Sequence, residues 1–135
     1  MINPQNYVIS AIAESLPNYV VRSNVAPRGI NTPNIYILIT DVSINEYARC
    51  KHSNEWLVGL NIDVTYRGGI GYDYTDYVNN AVQEVIPAMK DLKSNVIEIK
   101  NVFLEGSRSM YYDTPTNSVN RQILTYSIWC EYQES

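Results

Sequence analysis

The sequence predicts one α+β domain ordered helix, β-hairpin, helix, β-hairpin, with a mainly antiparallel sheet packed against the second helix. Three observations carry this. Apolar residues recur four apart at Val8, Ile12 and Leu16; six alternations run without a break from Trp56 to Arg67; and helical spacing returns between Tyr77 and Ile86. A chain of 135 residues has the size of one domain. It can bury about 70% of its unfolded surface, so one core over residues 1–135 suffices.

Asn3 followed by Pro4 reads as a helix start, because an Asn oxygen can cap free N–H groups and proline tolerates the first helical position. The stripe Val8, Ile12, Leu16, flanked by Ala11, then gives an amphipathic helix over about residues 4–16, stopped by Pro17. Tyr19, Val20 and Val21 suit a brief strand, and the Asn-rich run 22–34 with Pro27, Gly29 and Pro33 reads as a loop. Residues 35–42 are apolar on both faces, as in a buried strand, with an irregularity expected near 43–46.

After a turn at 51–54, Trp56, Val58, Leu60, Ile62, Val64 and Tyr66 fall on one side of a long strand. Asn61, Asp63, Thr65 and Arg67 fall on the other, the side expected to face solvent. Gly68, Gly69 and Gly71 release the chain, and Asp73 with Asp76 marks the start of a helix over about 74–92, kinked near Pro87. Residues 96–105 form a third strand with a bulge near Lys100, and Leu124, Tyr126, Ile128, Cys130 and Tyr132 mark a fourth. The stretch 106–120 between them reads as a long polar loop.

Composition narrows the function. The net charge is −4 and the ten Lys and Arg residues are scattered, so no basic face is available to displace counterions from a nucleic acid. The longest apolar stretch, 35–39, is far short of the roughly 20 residues of a membrane span. The first positive charge is Arg22, so the start does not read as a signal peptide, and folding in the cytoplasm is expected. Cys50 and Cys130 are the two cysteines and are expected as reduced, unligated thiols.

No residue set assembles catalytic chemistry. Cys50 and His52 lack a third group to orient the imidazole. Asp41, Asp63, Asp73 and Asp76 lack the spacing of a metal loop, with Asp41 and Asp63 most simply solvent-facing, and the glycines at 68–71 fit no phosphate-binding fingerprint. Catalytic residues, metal and cofactor are therefore all expected to be absent. What remains is 12 Tyr against one Phe, a choice that suits surfaces wet in isolation and buried on assembly. The candidate assembly contacts are Tyr111, Tyr112, Arg108 and Asp113 in the 106–120 stretch, which is expected to be mobile until a neighbour orders it.

The run W-L-V-G-L-N-I-D-V-T-Y at 56–66, the helix after it and N-R-Q-I-L-T-Y-S-I-W at 120–129 resemble the tail terminator and tail completion proteins of long-tailed phages. The resemblance implies a virion protein without enzymatic activity, made in the host cytoplasm. Its subunits would close into a homo-oligomeric ring, six-fold or twelve-fold, between the tail and neighbouring neck or portal proteins. DNA could pass through such a ring without specific binding, and no membrane is implied. A small protein- or ligand-binding module is the alternative.

Overall fold

The computed structural model describes residues 3–27, 33–49 and 53–133. Helix α1 (Pro4–Ser15) is followed by β1 (Val21–Ser23), β2 (Ile35–Arg49) and β3 (Ser53–Gly69). Helix α2 (Thr75–Lys90) then leads into β4 (Glu98–Asp113) and β5 (Asn117–Gln133). The five strands form one sheet in the order β1-β2-β3-β5-β4. The class is α+β. The brief strand expected at 19–21 is present slightly later as β1, and its parallel pairing with β2 makes the sheet mixed and corrects the expected helix, hairpin, helix, hairpin order.

The core forms where the alternation of β3 demanded it. Val58, Ile62 and Val64 are fully buried and Leu60 nearly so, packed with Ile37 and Ile39 of β2 and with Leu124 and Ile128 of β5. Both helices lie on this face. Helix α1 contributes Val8, Ala11 and Ile12, and α2 contributes Val78, Ala81, Val85 and Met89. Trp56 and Tyr66, at the ends of the same row, are partly buried against the cluster.

Several expectations are corrected. Asn3 sits at the cap position of α1 but makes no side-chain capping bond. Asp73 precedes the start of α2 by two residues and still accepts the Thr75 N–H at 3.0 Å. The irregularity expected near 43–46 in β2 is present as two register shifts that flank the stretch, between Thr40 and Ser43 and between Glu46 and Ala48. Asp41, at the first shift, has φ +53°, an unusual backbone state for a residue with a side chain. The bulge expected at Lys100 is present between Ile99 and Asn101.

The largest correction concerns 106–120. Residues 106–113 continue β4 and 117–120 begin β5, so the connection shrinks to residues 114–116. Thr114 closes this turn, its N–H donating to the Asn117 carbonyl at 2.8 Å and its hydroxyl accepting the Asn117 N–H at 2.9 Å. Residues 103–113 are exposed on both faces, so no apolar alternation betrays the strand. Cys50 and His52 lie outside the described residues.

Candidate assembly surface

Three features converge toward the end of the sheet where β3 turns into α2. The first is a group of tyrosines. Gly68 makes room for it: a Cβ there would stand 2.5 Å from the Tyr74 ring, so only glycine lets that ring lie on the strand. Tyr74 then donates its hydroxyl to the Gly69 carbonyl at 3.0 Å. Tyr66 packs against Tyr74 with centroids 4.5 Å apart and stacks on Tyr77 at 4.8 Å with an 18° interplanar angle. Tyr72, 67% exposed, continues the group 6.4 Å from Tyr74, and Ile70 is exposed beside the turn.

Asn120 braces this corner. Its side-chain oxygen accepts the Tyr74 N–H at 2.9 Å, while its amide nitrogen donates to Asp73 at 3.1 Å and to the Thr75 hydroxyl at 3.2 Å. The Thr75 hydroxyl and N–H, more than Asn120, hold the Asp73 carboxyl below the usual range. Gly71 is tied in turn to Ser118, at 2.8 Å.

The second feature lies on the sheet face opposite the helices, where solvent-facing residues were expected. Asp41 is exposed as expected, but Asp63 and Thr65 are 1% and 3% exposed. The Thr65 hydroxyl donates to Asp63 Oδ1 at 2.9 Å. Arg121 Nε donates to Asp63 Oδ2 at 3.0 Å and Arg121 Nη2 also donates to that oxygen. The bond to Asp63 keeps the guanidinium pKa above its ordinary value. Tyr36 and Val119 are buried on this face too, and burial raises the Tyr36 hydroxyl pKa. At the other end of the face, Glu55, Glu131 and Glu98 stand in one rung, a like-charge row that is unfavourable unless neutralised. Lys100 supplies the counter-charge, 3.0 Å from Glu131 and over the Trp129 ring.

The third feature is β4 itself, which carries all four candidate contacts. Tyr111 is 52% exposed and its hydroxyl donates to the Tyr72 carbonyl at 3.4 Å, joining it to the tyrosine group. Tyr112 faces the opposite side, across from Val119. Arg108 is exposed across from Ile123, and Asp113 accepts from the Ser118 hydroxyl at 2.7 Å. The candidates therefore divide between the two faces of one strand. Sequence reasoning missed the tyrosine group; its signal was the spacing of Tyr72, Tyr74 and Tyr77 just after the glycine run.

A cleft of about 200 Å³ lies between α2 and the hairpin, lined by Thr75, Val78, Tyr111 and Asn120 among others. That is below the roughly 300–1,000 Å³ of small-molecule pockets. Among the described residues no group of three His, Cys, Asp or Glu is placed to hold a metal ion. Among the described residues no helix is long and apolar enough to cross a membrane.

This architecture recurs in a virion. The structure superposes on a chain from the virion of a native gene transfer agent (GTA) particle with a TM-score of 0.65, covering 94% of this chain and 93% of that one. The two are 12% identical, so what they share is the fold. A second solved structure covers 92% of this chain at 10% identity, with a TM-score of 0.43. No family model and no curated protein sequence matches the chain.

Proposed function

We propose that the chain is a structural subunit of a phage-like particle, one copy of a homo-oligomeric ring at the tail or the head-tail neck that caps the tail or joins it to the connector. The observation that carries this reading is the end-to-end likeness of fold to a chain of a gene transfer agent virion. The likeness spans nearly all of both chains, at 94% and 93% coverage. The exposed tyrosines and the bare strand β4 supply surfaces that a neighbour would cover. The protein acts by contact, not catalysis, and its partners are further copies and adjoining tail, neck or portal proteins. The clefts of about 200 and 140 Å³ among the described residues are smaller than a ligand-binding module would use.

Purified particles from cells carrying the gene test the proposal. Mass spectrometry is expected to find the chain in them, and image reconstruction to place it in a ring, with six or twelve copies both compatible. Particles complete without the chain would overturn the assignment.

A further inference from the structure

The sheet ends in two open edges. Among the described residues no strand pairs with the outer side of β4, and β1 covers β2 only at Ile37, Leu38 and Ile39. Among the described residues nothing pairs with this side of 41–49 in β2, which presents a second row of N–H and C=O groups. Proteins that live as monomers blunt such edges with proline, lysine or short strands. Here β4 runs for 16 residues with no proline and a single lysine, and it exposes Phe103, Leu104, Met110 and Tyr111.

The two edges fit each other. Going across the sheet, β2 is antiparallel to β3, β3 to β5 and β5 to β4, so β2 and β4 point in opposite directions. A second copy in the same orientation thus brings its β2 antiparallel to β4 of the first, the better hydrogen-bonded arrangement. The side chains agree as well. One rung of the sheet runs Ile44, Val58, Ile128, Val102, and two residues along the same strands Leu60 lies opposite Tyr126, which lies opposite Leu104. Val42 and Val102 both pack against the core, so its apolar layer reaches both edges. Joining the edges at equal height sets Ile44 of one copy against Val102 of the next and continues that layer.

We propose that β4 of each copy pairs antiparallel with residues 41–49 of β2 in the next copy, head to tail. The occupant of both edges is then the same chain, and repetition with a constant rotation closes a ring. The inference rests on the subunit role proposed above and names the contact that would build it.

The test uses the full chain with one edge blocked at a time, by Leu104→Lys on β4 or Ile44→Lys on β2, both exposed positions. Thermal melting confirms folding; if either lysine unfolds the chain, Leu104→Thr and Ile44→Thr replace the pair. Sedimentation is expected to show assemblies larger than dimers for the unaltered chain and at least about tenfold weaker association for each variant. A 1:1 mixture of the two variants is expected to stop at a heterodimer, because one intact β4 and one intact β2 remain.

An Ile44→Lys variant that still dimerises would indicate two-fold β4 pairing and overturn the proposal. So would a monomeric unaltered chain at about 1 mM, or variants that assemble normally. Particles containing the chain with both edges unpaired would overturn this contact and leave the particle role standing. Edge-mediated assembly of a chain absent from particles would do the reverse.

Discussion

Arg121 of β5 grips the carboxylate of Asp63 on β3, its Nε 3.0 Å from Oδ2, on the sheet face that carries no helix. The two are unequally placed: the Asp63 side chain is 2% exposed and that of Arg121 27%. A guanidinium left alone can turn toward water, whereas a carboxylate left alone there cannot.

The pair should therefore respond asymmetrically to truncation. Arg121→Ala is expected to cost about 3–5 kcal/mol, by stranding a buried charge. Asp63→Ala is expected to cost clearly less. Urea denaturation of both at neutral pH measures the difference, and equal losses would contradict the argument.

Leu60 lies at the centre of the layer between β3 and the helices and is 2% exposed. Leu60→Ala should cost about 2–5 kcal/mol through the cavity it leaves. Chemical denaturation checks this, and a loss below about 1 kcal/mol would mean that the site collapses or that the core face is elsewhere.

The Tyr126 hydroxyl is buried without a hydrogen-bond partner among the described residues. Removing an unsatisfied polar group relieves a desolvation penalty, so Tyr126→Phe should raise stability by about 1 kcal/mol. A destabilised variant would show that the hydroxyl has a partner in solution.

Alkaline pH should loosen the fold. Burial pushes the Cys130 thiol from 9.0 to about 11, and burial followed by the bond to Glu84 pushes Tyr19 from 10.0 to about 12. Both folded values are raised, so the unfolded chain releases these protons first. The stabilisation is complete below about pH 9 and falls as pH rises through the folded values. Melting between pH 8 and 11 should show the decline, and Cys130→Ala should flatten its part between 9 and 11. Iodoacetamide should leave Cys130 unmodified in the native protein and reach it after unfolding.

Because residues 106–113 are paired with β5, their inward-facing amides should resist hydrogen exchange even in the free subunit. Protection that appeared only on assembly would mean that this half of the hairpin folds late. Replacing Tyr111 and Tyr112 together by Ser should spare folding, since both are substantially exposed, while weakening incorporation into particles.

The sequence by itself determined the elements that bury one regular face. Trp56 to Tyr66 at period two, Val8 to Leu16 and Val78 to Val85 at helical spacing leave little choice, because a one-residue slip of such a strand would turn its whole apolar row to water. The bulge at Lys100 was legible for the same reason, as a break in an apolar phase. Only the tertiary structure decided the rest. Residues 106–113 are a strand because β5 offers a hydrogen-bonding edge, and a strand exposed on both faces carries no pattern to read. Asp63 is buried because Arg121 and Thr65, 58 and two positions away, satisfy its oxygens, whereas spacing alone reads a polar residue in an alternating strand as wet. The tyrosine corner likewise needed Gly68 and Asn120, nearly fifty positions from Tyr74, to hold the rings in one place. Local periodicity records what a segment must bury, and only the assembled sheet records which neighbour a polar or exposed residue meets.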